Sequence, residues 1–427
     1  MQNHVVKAGD TLYNISRKYG LKENDLISSN MITNPNNLVV GQVIVIPIWG
    51  KYHFVEPGDT LYKIAELYDI PYEELIRINN IANPDNISVG YRIYIPSKRR
   101  KIIDVAAYVD PRITRERTAS EVAKVSEDLT YINVFSYEVD SLGNLKPVKD
   151  NDIINASYKS RTLPLMVLTN IEDGNFSTEV ATKIFNSESL QEKVLNQAIE
   201  IMDIKGYRGL DFDFEYLGKD NKEKYNEFLR KASSKLKPKG YYLSSALAPK
   251  ISSTQIGTLY EGHDYKTQGE IVDFIFFMTY EWGWSGGPPR AVSPIDKVKD
   301  VLDYAVSEVP RNKIMMGIPL YGYDWTLPYV KGGKFAKAIS MQKAIDIARK
   351  YGAEIKYDGK SQAPYYNYYD ELGKKHEVWF EDGRSIQAKF DLVKSLNIRG
   401  VFYWVIGKDF PQNWLLIEDN FIVRKLI

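Results

Sequence analysis

The sequence predicts an α/β chain: a (β/α)8 TIM barrel preceded by two small α+β repeats, each ordered strand–helix–helix–strand. Three observations predict it. From Ile102 onward, eight apolar runs recur with helix-compatible stretches between them. Before that point the chain repeats itself with a period of 49 residues, over 4–47 and 53–96. Between the two regimes lies a short basic stretch, Ser97-Lys98-Arg99-Arg100-Lys101. A chain of 427 residues has room for two or three domains. The expected boundaries are 1–48 and 51–97 for the repeats, 98–101 for a linker and 102–427 for the barrel.

Within the repeats, Ala8-Gly9-Asp10-Thr11-Leu12-Tyr13 aligns with Pro57-Gly58-Asp59-Thr60-Leu61-Tyr62. The Gly-Asp-Thr turn places Asp or Thr near the N-cap of a helix. Leu12, Ile15, Ser16 and Tyr19 then fall at helical spacing. Gly41-Gln42-Val43-Ile44-Val45-Ile46-Pro47 aligns with Gly90-Tyr91-Arg92-Ile93-Tyr94-Ile95-Pro96 and reads as a closing strand that proline ends.

The barrel strands are read at 102–109, 129–137, 163–169, 209–215, 241–248, 271–280, 313–320 and 400–405. The longest gap, 321–399, holds an amphipathic segment (341–351), a tyrosine-rich hairpin (363–380) and a final helix. Its middle, about 325–380, is read as an insertion after strand seven.

The fourth strand, Gly209-Leu210-Asp211-Phe212-Asp213-Phe214-Glu215, carries the chemistry. Side chains alternate along a strand, so the three carboxylates share one face and Leu210, Phe212 and Phe214 the other. Crowded like charges raise the pKa of at least one member, as a general acid requires. A solvated acidic edge is the plainer alternative, as is a cation site. The two phenylalanines favour a packed strand. A spread of roughly 13 Å keeps all three carboxylates from one ion.

Barrel enzymes work at the C-terminal ends of their strands. Tyr108, Tyr137, Glu215, Tyr280, Tyr321 and Trp404 lie at or near such ends, a set of aromatics and acids suited to a carbohydrate.

The net charge of +1 gives no electrostatic case for nucleic acid or an anionic membrane. Absent cysteine removes disulfide and thiolate chemistry. The four histidines show no metal-ligand spacing, so no metal or other cofactor is expected, and His4 and His53 occupy equivalent places in the repeats. No apolar run is long enough to span a bilayer, and the N-terminus lacks the pattern of a secretory signal. A monomer is expected.

The two repeats resemble LysM domains end to end. That resemblance implies binding of N-acetylglucosamine-containing glycans such as peptidoglycan or chitin, through Gly9, Asp10, Thr11, Asn37 and Leu38 in one copy and Gly58, Asp59, Thr60, Asn86 and Ile87 in the other. The turn itself also explains the Gly and Asp. Residues 102–427 resemble glycoside hydrolase family 18. Asp211, Asp213 and Glu215 match the last three acids of its Asp-x-x-Asp-x-Asp-x-Glu motif, and Met278-Thr279-Tyr280-Glu281 matches Met-x-Tyr-Asp. Gly317-Ile318-Pro319-Leu320-Tyr321-Gly322 and Gly400-Val401-Phe402-Tyr403-Trp404 match its strand-seven and strand-eight segments. Arg208 stands where the motif has its first Asp, and Glu281 where it has Asp. Arg208 is distant from the bond that breaks. Glu281 is one methylene longer, which changes how an acetamido group is held.

The two repeats before such a barrel, with Tyr280-Glu281-Trp282-Gly283-Trp284-Ser285-Gly286-Gly287-Pro288-Pro289 after strand six, look like the spore cortex-lytic N-acetylglucosaminidases of bacilli. The resemblance implies a spore location and a peptidoglycan substrate cleaved after N-acetylglucosamine. It also implies substrate-assisted, retaining catalysis. Glu215 is then the acid, Asp213 orients the acetamido N–H, Asp211 holds Asp213, and Tyr280 donates to the acetamido oxygen. Trp404, Glu281, Tyr321, Tyr108, Tyr137 and Trp282 are expected to contact substrate. The other readings are a hydrolase of chitin oligosaccharides or vegetative peptidoglycan, and a non-catalytic glycan-binding spore-layer protein.

Overall fold

A computed structural model describes residues 1–96 and 100–427. Of the basic linker, Lys98 and Arg99 lie outside the described residues. The chain forms two compact units, 1–101 with 411–422, and 102–410 with 423–427.

In the first unit each repeat has the expected order. The first runs Gln2–Val5, Leu12–Tyr19, Glu23–Asn30, Val43–Ile46, and the second Lys51–Phe54, Leu61–Tyr68, Tyr72–Asn79, Arg92–Ile95. The outer strands of each pair antiparallel. Thr11 and Thr60 are the N-caps, each hydroxyl accepting from the backbone N–H three residues on, at 3.1 and 3.2 Å. Leu12, Ile15, Ser16 and Tyr19 are all buried. Val43–Ile46 is buried at every position, so both faces of the strand are covered. The helix Pro411–Asn420 packs on this strand and on the helix Glu23–Asn30, and Gln412 donates to the Asn30 carbonyl at 3.3 Å. The sequence reading extends the barrel through this helix, whereas the structure places 411–422 with the repeats.

The second unit is a closed barrel of eight parallel strands. They are, from one to eight, Lys101–Val109, Tyr131–Glu138, Leu163–Thr169, Gly209–Asp213, Tyr242–Leu247, Phe274–Phe277, Ile314–Pro319 and Gly400–Trp404. Strand eight pairs with strand one, from Gly400 opposite Asp104 to Tyr403 opposite Ala107, and closes the ring. The interior is aromatic: Tyr131 stacks on Phe274 at 4.9 Å and Phe276 meets Phe402 edge-on at 4.9 Å. Outside, Phe212 and Phe214 pack on Tyr225 and Phe228 of the helix Lys222–Leu236. The two faces of strand four therefore divide as alternation requires. Gly209 has to be glycine, since a Cβ there would lie 2.7 Å from the Tyr242 carbonyl oxygen.

Most strands are shorter than expected, and in two of them this bears on the site. Strand four ends at Asp213, so Glu215 stands in the loop beyond it. Strand six covers only Phe274–Phe277, because Tyr265–Ile271 is a helix and the chain turns away after Phe277. The insertion after strand seven is a five-stranded antiparallel sheet that begins at Gly322 and ends at Trp379, with the helix Met341–Tyr351 attached.

Candidate active site

Asp211 is fully buried and accepts three hydrogen bonds, from the Tyr108 hydroxyl (2.5 Å), Ser244 (2.7 Å) and Asn133 (3.1 Å). Burial raises its carboxyl to about 6, and the three donors restrain that rise. One turn of the pleat later, Asp213 is 5 % exposed and its Oδ1 has no hydrogen-bond partner. Burial, then Glu215, then Asp211 push its carboxyl well above the ordinary range. Glu215 is partly exposed. Burial first, and the Glu281 carboxylate second, raise it to about 7. Three acids whose pKa values are all raised suit the outermost, Glu215, to donate a proton near neutral pH.

The backbone around Glu215 is held from two sides. Asn170, just beyond strand three, accepts from the Glu215 N–H (3.0 Å) and donates to its carbonyl (2.9 Å). On the other side His263 Nδ1 accepts from the Ala248 N–H at 2.9 Å, so Nε2 carries the proton and donates to the Phe214 carbonyl, also at 2.9 Å. Burial lowers the His263 pKa to about 4, which keeps this tautomer neutral.

These groups open into a cleft of about 660 Å³. Tyr280, Glu281 and Trp282 line it beyond strand six, Tyr321 beyond strand seven and Trp404 at the end of strand eight. Burial and the four surrounding carboxylates, Asp213 foremost, raise the Tyr280 hydroxyl well above its usual range, so it remains a donor. Glu281 accepts from the hydroxyls of Tyr321 and Tyr323. Trp404 packs edge-on against Phe135 at 4.8 Å and Tyr108 at 5.6 Å. Trp284 adds an aromatic wall at the rim. A Cβ on Gly286 would meet its ring at 2.3 Å, which accounts for glycine in that loop.

Tyr137 is the exception among the expected contacts. The pairing of strands two and three shifts register between Val134 and Tyr137, and that shift reverses which side chains face inward. Phe135 lines the cleft on the same alternation that points Tyr131 and Asn133 inward, and the shift beyond it turns Tyr137 out. Tyr137 is buried elsewhere, its hydroxyl on Asp150 at 2.5 Å beside Tyr207 and Lys205. Tyr108 does line the cleft, but its hydroxyl is engaged by Asp211. Asn133, Asn170, Ser244, His263 and Lys408 were not legible as site residues, because single polar residues in apolar runs carry no spacing signal. Among the described residues no group of three or more His, Asp or Glu is placed to hold a metal ion.

In the repeats, Asp10 accepts from His4 (3.0 Å) and the Lys7 N–H (2.8 Å), and Asp59 from His53 and the Glu56 N–H (both 2.8 Å). These side chains build the turn. Gly9 and Gly58 at its tip have φ of 86° and 89°, with open space where a Cβ would be.

Residues 165–409 match the family model for glycosyl hydrolases family 18, and residues 4–47 and 53–96 each match the LysM domain. The cortical fragment-lytic enzyme of Bacillus subtilis (strain 168) is 53% identical over 427 residues, covering 100% of this chain and 99% of the relative. The crystal structure of the spore cortex-lytic enzyme SleL of Bacillus megaterium QM B1551 superposes with a TM-score of 0.94 at 46% identity, covering 100% of this chain and 99% of that one. SleL of Bacillus cereus gives 0.89 at 43%, over 99% and 98%.

Proposed function

The chain belongs to glycosyl hydrolases family 18 and is a glycosidase with two LysM domains, and from that premise we propose that it is an N-acetylglucosaminidase of spore cortex peptidoglycan or its fragments, acting during germination. Full-length similarity to a cortical fragment-lytic enzyme and to two spore cortex-lytic enzymes supports the substrate and a spore location. The observation that carries the chemistry is Asp213: a carboxylate between Asp211 and Glu215 that lines the cleft and has a buried oxygen without a partner.

In this reading Glu215 protonates the glycosidic oxygen while the substrate's own acetamido oxygen attacks the anomeric carbon. The C–O bond to the leaving sugar breaks and an oxazolinium ion forms with inversion at that carbon. Asp213 accepts the acetamido N–H and faces the positive charge as it develops. Asp211, fixed by its three donors, steadies Asp213 and shares its proton. Tyr280 donates to the acetamido oxygen, and Trp404 floors the distorted sugar. Glu215, now a carboxylate, takes a proton from water as that water opens the ring, and a second inversion gives net retention. Glu281, Tyr321 and Trp282 bound the same sugar, and Tyr108 acts through Asp211. Loops containing Gly9, Asp10, Thr11, Asn37 and Leu38, and Gly58, Asp59, Thr60, Asn86 and Ile87, hold the polymer. Their effect multiplies only if both engage one glycan.

A sugar without an acetamido group, such as a muramic δ-lactam, supplies no nucleophile. The test is the cleavage rate on matched glycans before and after removal of the N-acetyl groups. Loss of cleavage on the free-amine glycan is expected. Equal rates would discard the mechanism.

A further inference from the structure

Lys408 is the only basic side chain among the described residues lining the cleft, where Asp213, Glu215 and Glu281 are the acids. It lies four residues beyond the end of strand eight. It enters the cleft beside Tyr321 and Glu281, which stand beyond strands seven and six. Its ammonium lies 5.2 Å from the centre of the Tyr321 ring. It makes no ion pair with the described residues, although the Glu281 carboxylate is near enough to be felt. Glu281 is already engaged by the hydroxyls of Tyr321 and Tyr323. The neighbouring Asp409 turns away to Lys124, at 3.5 Å. Burial lowers the Lys408 pKa, so the ammonium is held partly dehydrated. A half-dehydrated cation with spare donors is an unfavourable arrangement that an anion of the ligand would relieve.

We propose that Lys408 is a specificity-determining residue that binds a carboxylate on the sugar adjoining the N-acetylglucosamine in the cleft. This deepens the peptidoglycan reading and rests on it. A muramic acid residue carries such a carboxylate, either on its lactyl ether or at the end of a peptide attached there. A chitin oligomer carries none, and a muramic lactam has spent its carboxyl group in the ring. Among the described residues lining the cleft, only this ammonium offers a substrate carboxylate a cationic partner. Lys408 therefore selects fragments with a free muramic carboxylate and sets which way they lie.

The test compares wild type, Lys408→Met and Lys408→Arg on three substrates. These are muropeptide fragments with free carboxylates, the same fragments with the carboxylates amidated, and neutral N-acetylglucosamine oligomers. Fragments with and without the peptide separate the two sources of the carboxylate. Lys408→Met should reduce the ratio of kcat/KM on free to amidated fragments about ten- to a hundredfold, the scale of a charge-assisted hydrogen bond, with Lys408→Arg retaining most of it. An equal loss on free and amidated fragments would overturn the inference, making Lys408 a structural counter-charge to Glu281. So would a wild type indifferent to amidation. Wild-type rates separate the two levels of failure: cleavage of neutral oligomers alone removes the peptidoglycan reading itself, whereas cleavage of both fragment forms at one rate removes only the role of Lys408.

Discussion

The hydroxyl of Tyr108, on barrel strand one, donates to Asp211 Oδ2 on strand four at 2.5 Å, across the barrel interior. It is one of three donors that keep a fully buried carboxylate from rising further than about 6. Tyr108→Phe removes one of them without changing the ring that packs beside Trp404. The expected result is a fall in kcat of about tenfold or more, with KM little changed, since a hydrogen bond to a charged group is lost. Steady-state kinetics alongside thermal melts check it. A rise in KM alone would place Tyr108 in substrate binding.

Asp213 and Asp211 should not be equivalent. Asp213→Asn removes the group facing the acetamido N–H and should cost on the order of 10²–10⁴ in kcat. Asp211→Asn should cost less, because it acts through Asp213. Single-turnover rates for the two variants decide the order. A larger loss for Asp211→Asn would reverse the division of roles.

The pH dependence follows from Glu215. As the acid it works only when protonated, and burial together with Glu281 places its pKa at about 7. Activity should therefore hold below that value and fall as pH rises through it. Glu281→Gln removes the second cause and should move this alkaline limb to lower pH. The same shift bears on folding. A carboxyl whose pKa is raised in the folded state binds more protons there than when unfolded, so stability falls as pH rises from its ordinary value of 4.5 to about 7. Glu215→Gln should raise Tm at about pH 8 and have little effect near pH 4. A Tm difference independent of pH would contradict the raised pKa of Glu215.

Much of this was legible because it is periodic. The repeat of Gly9-Asp10-Thr11 in Gly58-Asp59-Thr60, and the alternation of Asp211, Asp213 and Glu215 with Leu210, Phe212 and Phe214, are patterns that geometry converts directly into faces and turns. The helix Met341–Tyr351 and the hairpin after it were legible for the same reason. Tyr137 misled because a register shift in strand two turns it off the inward face that Asn133 and Phe135 share, and nothing in an apolar run marks such a shift. Asn170, His263 and Ser244 act through hydrogen bonds to partners 45, 49 and 33 positions away. Only the folded barrel brings these together. The helix Pro411–Asn420 was assigned by sequence adjacency, whereas the doubly buried strand Val43–Ile46 determines where it packs.

The account stands most directly on the bond that is cut. Purified cortical peptidoglycan digested with wild type and with Glu215→Gln, followed by mass spectrometry of the products, reads it. Fragments ending in reducing N-acetylglucosamine, present with wild type and absent with the variant, are the predicted result. The same fragments from Glu215→Gln, or wild-type fragments ending in a muramic sugar, would contradict it.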